Sequence, residues 1–192
     1  MDILKKFFKK NKNKYLISTK ENTSIRSSAE IVNMSQKSEN ISIGNNTVIK
    51  GRLLIFPHAG KIQIGDDCIL NHNSEIWSGE DVKIGNRVLI AHNVNIIDTN
   101  AHPTDYNLRH THYKNIIEGG FSHDKENEVN KNIRSKKIII EDDVWIGIGA
   151  FIGKGVKVGS KSIISPMSYV INDIPDNSIV SGNPAKVIKT ID

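Results

Sequence analysis

The 192-residue sequence has one cysteine, Cys68, and only 6% aromatic residues. A single cysteine excludes an intramolecular disulfide and any zinc site built from several thiolates. No apolar run approaches the ~18 residues of a transmembrane helix, and the lysine-rich beginning lacks the apolar run and small-residue cleavage site of a secretory signal. These absences predict a cytoplasmic protein with one domain whose core is aliphatic rather than aromatic.

Positive charge is concentrated at the beginning of the chain. The formal net charge is +5, and the lysines of residues 1–14, offset by Asp2, account for all of it. The body of the chain is therefore neutral, and no nucleic acid partner is expected. Apolar residues at helical spacing within residues 1–20 predict a short basic amphipathic helix, which would contact the inner face of the membrane through Lys5 to Lys14. The alternative is a solvated terminus without a membrane role.

Aliphatic residues recur every six positions near the end of the chain: Ile140, Ile146, Ile152, Val158, Ile164 and Val170. A small or β-branched residue follows four places after each of the first five: Val144, Ala150, Val156, Ser162 and Ser168. This period is typical of a hexapeptide β-helix, in which each hexad forms one side of a triangular prism. Gly, Asn and Asp are expected at the corners, where the backbone turns sharply.

The same register is present earlier in the chain: Ile43, Ile49, Ile55, Ile64, Leu70, Ile76, Ile84, Ile90 and Ile96. Cys68 falls at the small-residue position and is predicted to fill the core. Ile25 and Ile31 form a weaker first pair, and extra residues at 56–63 and 79–83 are expected at corners. The register stops at Asp98 and resumes at residue 140.

Three segments are therefore predicted. Residues 1–20 form the basic segment, residues 21–175 form the β-helix domain, and residues 176–192 form an extended C-terminal cap. Residues 98–137 interrupt the β-helix with an inserted loop that has almost no aliphatic period. Loops of this length in compact domains are usually functional or disordered.

Three motifs carry a resemblance to a known family: the hexads, the segment IIDTNAHP around His102, and DDVWIG followed by the tail SGNPAKVI. Over residues 41–189 the chain resembles the hexapeptide-repeat acyltransferases, most closely the galactoside/maltose O-acetyltransferase branch and its polysaccharide-modifying relatives. The resemblance implies an all-β fold, a left-handed parallel β-helix. It also implies acetyl-CoA as co-substrate and a carbohydrate acceptor. Because a site built at the corner of a solenoid needs a neighbouring subunit to close its groove, we expect a homotrimer with one site at each of the three interfaces.

His102 is the predicted catalytic residue. It comes six residues after Ile96, where the chain leaves the prism, so its imidazole is expected at the mouth of a groove. In the family the histidine of this motif is the general base that removes the proton of the acceptor hydroxyl. Asp98, Asp105 or a backbone carbonyl could orient the ring, and the sequence leaves these alternatives open. No Gly-x-Ser-x-Gly elbow is present and Cys68 is expected to be buried, which favours direct attack over an acyl-enzyme.

The cofactor site is predicted by resemblance. Trp145 is expected at a corner of the prism, facing outward into the pantetheine channel. The other channel residues are Gly147, Gly149, Ala150, Ser165 and Pro166. The family often has Gly-Ala where this chain has Ser-Pro, which weakens that particular contact. Lys186 and Lys189 match the tail positions that meet the cofactor phosphates. The alternative for both lysines is a solvated terminal segment.

The acceptor site is predicted around Asn71, Glu75 and Trp77, with the Trp77 ring able to stack on a sugar face. The acidic residue that binds acceptor hydroxyls in the galactoside enzyme aligns with Gly79, so a simple galactoside is not the expected acceptor. An exposed or interface position is the alternative for all three residues.

His72 and His92 occupy the same place in successive coils and are predicted to stack. A metal pair is the alternative, but no third ligand lies in that column, and no metal is expected. The predicted function is transfer of acetyl from acetyl-CoA to a sugar hydroxyl of a surface polysaccharide or its precursor. N-acetylation of an amino-sugar nucleotide, a metal-dependent carbonic anhydrase and a non-catalytic scaffold are the alternatives.

Overall fold

A computed structural model describes residues 16–118, 120 and 122–191. The predicted basic helix, including Lys5 to Lys14, falls almost entirely outside the described residues. Within the described residues, short strands form three sheets that face one another as the sides of a prism. No helix in this part of the chain is long and apolar enough to cross a membrane.

From β1 to β18 each coil contributes one strand to each face, and β19 and β20 add two more strands to the second face. The first face contains β1 (Ser18–Thr19), β4 (Ile41–Ile43), β7 (Ile62–Ile64), β10 (Val82–Ile84), β13 (Ile138–Ile140) and β16 (Lys157–Val158). The second face contains β2 (Ser24–Ile25), β5 (Val48–Ile49), β8 (Ile69–Leu70), β11 (Leu89–Ile90), β14 (Trp145–Ile146), β17 (Ile163–Ile164), β19 (Ser178–Gly182) and β20 (Ala185–Thr190). The third face contains β3 (Glu30–Asn33), β6 (Arg52–Ile55), β9 (Glu75–Ser78), β12 (Asn95–Ile97), β15 (Phe151–Gly153) and β18 (Tyr169–Val170).

The hexad positions fill the core, as predicted. From Ile43 to Val170 every predicted inward residue is at most 5% exposed, and the small residues four places on are buried with them. Cys68 is 3% exposed and packs in the same core. Ile25 and Ile31, the weaker first pair, are only partly buried. The aliphatic period therefore identifies the core residues correctly.

The corner between the first and second faces turns through left-handed residues. Asn46, Asp67 and Asp143 have φ of 52°, 56° and 62° there, a region that Asn and Asp tolerate better than most residues. Asp66 Oδ1 accepts a hydrogen bond from Asn45 N, and the same bond recurs one coil further on between Asn86 Oδ1 and Asp66 N. Polar corner residues thus connect successive coils, in agreement with the expected corner composition.

Insertions leave the prism at the corner between the third and first faces, which we call the insertion corner. It carries residues 34–40, 56–61, 79–81 and 98–137. The first of these contains a short 3₁₀ helix, Ser38–Asn40. The segment 98–137, which the sequence describes only as a loop, contains α1 (Tyr106–Ile117) and α2 (Glu128–Lys131). The prism therefore carries its irregular structure along one corner.

The end of the chain forms a hairpin on the second face. β19 pairs in parallel with β17, and β20 then returns antiparallel along β19. The connection between these strands contains the cis peptide bond Asn183–Pro184. The hairpin occupies the last position of the second-face sheet.

We expect Ile164→Val to lower the free energy of unfolding by about 0.5–1.5 kcal/mol, because it removes a methylene from the closed core. Ile164 is fully buried, whereas its neighbour Ile163 in β17 faces outward and is partly exposed. Ile163→Val is the matched control and should cost less. Urea denaturation of both variants measures the difference, and equal losses would contradict the inward register of Ile164.

Candidate active site

The position of His102 is set by a short antiparallel contact at the base of the insertion. Thr99 forms a β-bridge with Ser135, Asn100 N donates to Arg134 O at 2.9 Å, and Lys136 N donates to Asp98 O at 2.8 Å. The two ends of the inserted segment therefore meet beside β12. His102 follows directly after this contact, and its side chain is exposed.

Asp98 connects two levels of the insertion corner. Its side chain is fully buried, and its carboxylate accepts hydrogen bonds from Gly79 N at 2.6 Å and Glu80 N at 3.0 Å. Ser78 Oγ lies 2.8 Å from the same carboxylate. Burial raises the pKa of the Asp98 carboxyl, and the bond from Gly79 N acts in the opposite direction. Asp98 thus anchors residues 78–80 to the base of the insertion.

Asp105 has a different structural role. It is the N-cap of α1, and its side chain accepts a hydrogen bond from Leu108 N at 2.9 Å. Both carboxylates are therefore hydrogen-bonded to groups other than the His102 ring. The sequence left both aspartates open as residues that orient this ring, and neither of them does so.

The ring of His102 instead contacts a second histidine. His102 Nδ1 lies 3.2 Å from His112 Nδ1, and the two ring centroids are 5.0 Å apart with a 59° angle between planes. His112 lies in α1 and is only 8% exposed. One of the two nitrogens must carry the proton in this bond, since a neutral imidazole has one donor and one acceptor.

A third histidine, His58, lies near His112 on the buried side of α1. Together with His112 it lines a small cavity that Val129 and Asn130 of α2 also border. Burial lowers the pKa of His112, with smaller contributions from the nearby rings of His102 and His58. Burial also lowers the pKa of His58, helped by the charge of Lys125. The sequence did not connect either residue with His102, because neither lies in the hexad register.

The predicted acceptor residues lie on and beside the third face. Asn71 is at the corner between the second and third faces, where its Nδ2 donates to Ile90 O at 3.0 Å and its Oδ1 accepts from Lys50 Nζ at 3.2 Å. Glu75 and Trp77 are on β9, and Trp77 Nε1 donates to Glu75 Oε2 at 2.6 Å. All three are partly exposed, and their role in acceptor binding stays a prediction.

Trp145 is not at a corner, contrary to expectation. It lies within β14, on the flat second face, where it pairs with Leu89 and Ile163 of the adjacent strands. Its side chain is 51% exposed, as is that of Leu89. Successive side chains of a strand point to opposite sides. The residue before an inward hexad residue therefore lies within the strand and faces outward, which explains why the prediction of a corner was wrong. The outward orientation itself was predicted correctly.

The other predicted cofactor residues share the corner between the second and third faces with Asn71. They are Gly147, Gly149, Ala150, Ser165 and Pro166. A Cβ on Gly147 would fall 2.7 Å from Pro166 N and 2.8 Å from Ile164 O, so close packing of coils also requires this glycine. Lys186 and Lys189 are exposed on β20. In one chain these residues are therefore separated from His102, which lies at the insertion corner.

His72 and His92 stack as predicted, with ring centroids 5.8 Å apart and an interplanar angle of 12°. They occupy the same corner as Asn71. In the part of the chain that the structure describes, no three His, Cys, Asp or Glu side chains converge as a group that could bind a metal.

Comparison with known proteins agrees with the fold and the motifs. The family model described as "Bacterial transferase hexapeptide (six repeats)" matches residues 137–172. The chain is 32% identical over 150 residues to the galactoside O-acetyltransferase of Escherichia coli, covering 78% of this chain and 64% of that protein. It is 30% identical over 149 residues to the galactoside O-acetyltransferase of Lactococcus lactis, covering 78% of this chain and 62% of that protein. The chain thus spans less than two thirds of the length of these relatives.

A solved structure shows the same architecture. The structure of a galactoside acetyltransferase in complex with coenzyme A superposes with a TM-score of 0.53 at 26% identity, covering 94% of this chain and 68% of that one. The predicted family resemblance is therefore confirmed. The chain carries transferase hexapeptide repeats at residues 137–172 and is similar to the galactoside O-acetyltransferases, and its prism is a left-handed parallel β-helix.

Proposed function

We propose that this protein is an acetyl-CoA-dependent O-acetyltransferase that modifies a sugar hydroxyl of a surface polysaccharide or its precursor. The observation that carries the proposal is His102, an exposed imidazole at the mouth of the insertion whose Nδ1 faces His112 and whose Nε2 lies outside that contact. The names of the two galactoside O-acetyltransferases to which the chain is related support the reaction class.

In the proposed reaction the acceptor oxygen attacks the thioester carbonyl of acetyl-CoA while its proton passes to His102 Nε2. A backbone N–H stabilises the tetrahedral oxyanion. The carbon–sulfur bond then breaks, and the leaving thiolate takes the proton from His102. Cys68 is buried, and burial raises the pKa of its thiol, so it is a poor candidate for a covalent acyl carrier. Direct transfer is therefore the favoured route.

Substrate contacts are assigned from the predicted positions. The outward side of Trp145 and the corner that carries Gly147 and Ser165 would contact the pantetheine arm of acetyl-CoA. Lys186 and Lys189, on the neighbouring hairpin, would meet its phosphates as point charges. On the third face, Trp77 would cover one side of the acceptor sugar, because aromatic rings supply apolar area against sugar faces.

A homotrimer is proposed because one chain holds these groups apart. His102 lies at the insertion corner, whereas Asn71 and the channel glycines lie at the next corner of the prism. A neighbouring copy could bring its corner against His102, and cyclic symmetry would generate three equivalent sites. The structure of a galactoside acetyltransferase with coenzyme A supports a cofactor site in this fold. Sedimentation equilibrium of the full chain tests the stoichiometry.

The function is tested by thiol release from acetyl-CoA in the presence of defined acceptors. Oligosaccharides and galactosides supply hydroxyl groups, and amino-sugar nucleotides supply amines. We expect release to depend on a hydroxyl acceptor and the product to gain one acetyl group that hydroxylamine removes, as an ester requires. Acetylation of the amines instead would establish the N-acetyltransferase alternative, and no thiol release with any acceptor would favour the scaffold.

A further inference from the structure

The bond between His102 and His112 suggests a role for the inserted helix. We propose that His112 is a positioning residue whose Nδ1 accepts a hydrogen bond from His102 Nδ1–H, so that His102 presents an unprotonated Nε2 to the acceptor hydroxyl. This inference rests on the proposed function, since it assigns how the proposed base is oriented. His112 acts through His102 and does not itself contact the acceptor.

The first argument is geometric. The 3.2 Å separation joins the same nitrogen, Nδ1, of both rings, and so leaves Nε2 of His102 outside the bond. The turn between His102 and α1 is braced by Arg109, whose Nη1 donates to Pro103 O at 3.3 Å and to Thr104 O at 3.0 Å. With Asp105 as the cap of the same helix, the position of His112 relative to His102 is fixed at several points.

The second argument concerns which ring accepts. His112 is buried against α2 and the segment 56–61, and burial lowers its pKa, followed by the influence of His102 and His58. The pKa of His58, which lines the same cavity, is also lowered, by burial and then by the charge of Lys125. His112 is therefore neutral near pH 7 and retains one nitrogen lone pair. A neutral acceptor can hold the His102 ring in one tautomer, the task that a carboxylate or carbonyl performs in many histidine sites.

The same bond favours the reaction once the proton has moved. When His102 Nε2 takes the acceptor proton, its ring becomes a cation and its Nδ1–H a stronger donor. The bond to His112 Nδ1 is then charge-assisted and roughly twice as strong as the neutral bond. An interaction that becomes stronger as charge develops stabilises the transition state more than the ground state, and it therefore lowers the barrier.

The helix offers a matched control. His110 lies two residues before His112 in α1, but its side chain is exposed and its ring centroid is 6.2 Å from that of Tyr113. A general effect of losing a histidine from this helix should be similar at both positions. A positioning role predicts an effect only at His112.

The tautomer is measured directly by long-range ¹H–¹⁵N NMR of the full chain without substrates, with His102 assigned from the His102→Gln variant. We expect the His102 ring to carry its proton on Nδ1. His112→Asn should preserve that tautomer, because the asparagine Oδ1 can occupy the place of the histidine Nδ1, whereas His112→Leu should not. A proton on Nε2 of His102 in the unmodified protein would overturn the proposal, whatever the stability of the variants.

Kinetics supply the second readout. We expect His112→Leu to lower kcat about 10- to 100-fold, by analogy with the loss of the hydrogen-bond partner of a metal-bound histidine, with KM for acetyl-CoA within about twofold. His112→Asn should recover most of the rate, and His110→Leu should leave it unchanged. Equal losses in the Leu and Asn variants, or an effect on KM alone, would contradict the positioning role. If the unmodified protein acetylates none of the acceptors, the proposed function is wrong. The NMR measurement of the His102 tautomer still tests whether His112 accepts a hydrogen bond from His102.

Discussion

His102→Ala is expected to lower kcat for acetyl transfer by about 10²- to 10⁴-fold, the range that a positioned general base contributes. Without the imidazole, the acceptor hydroxyl must lose its proton to water as it attacks the thioester. His102 is exposed and lies outside the hexad core, so the fold should survive the substitution. Thiol release at saturating acetyl-CoA measures kcat, and KM for acetyl-CoA should change little.

His110→Ala is the control for this experiment, because it removes an exposed histidine from the same inserted segment. Its kcat should equal that of the unmodified protein. Retention of more than a tenth of the rate in His102→Ala would show that another group removes the proton. Thermal unfolding of both variants verifies that the comparison is made between folded proteins.

Asp98→Ala is expected to lower the free energy of unfolding by about 1–3 kcal/mol for each backbone N–H that it leaves without an acceptor. The substitution leaves the buried Gly79 N and the partly buried Glu80 N without their acceptor, and it opens a space where the carboxylate was. Urea denaturation measures the loss. Because Asp98 also lies at the base of the insertion, acetyl transfer should fall even where the variant remains folded.

Asp173→Ala separates this effect from the loss of an aspartate in general. Asp173 is exposed and accepts one backbone hydrogen bond, from Lys157 N at 2.8 Å. Its replacement should shift the urea midpoint far less than Asp98→Ala does. Similar shifts in the two variants would mean that burial of the Asp98 network contributes little to stability.

The sequence predicts the prism well because one physical requirement repeats along it. Each side of the prism must bury an aliphatic residue, so Ile146, Ile152 and Val158 appear at fixed spacing and all are fully buried. The corner requirement repeats in the same way, since the backbone there adopts positive φ at residues such as Asp67 and Asn93. A pattern with many repeats is readable even when single positions are ambiguous.

The candidate site has no such repetition. The contact between His102 and His112 joins two residues in an insertion that follows neither the hexad period nor a clear helical one, and only the Asp105 cap signals that α1 begins there. The sequence also suggests Asp98 as an orienting group for His102, because nearness in sequence says nothing about which donors surround a carboxylate. Buried hydrogen bonds to residues of another coil, such as Gly79, become visible only in three dimensions.

The confinement of insertions to one corner separates two kinds of sequence change. Connections between the first and second faces keep a constant length, as in 44–47, 65–68, 85–88 and 141–144, whereas 56–61, 79–81 and 98–137 differ widely at the insertion corner. The long insertion begins and ends at the antiparallel contact between Thr99 and Ser135. A segment of another length grafted between these two residues would leave the hexad spacing of every coil unaltered, so the insertion can change in length and sequence while the folded core is inherited unchanged.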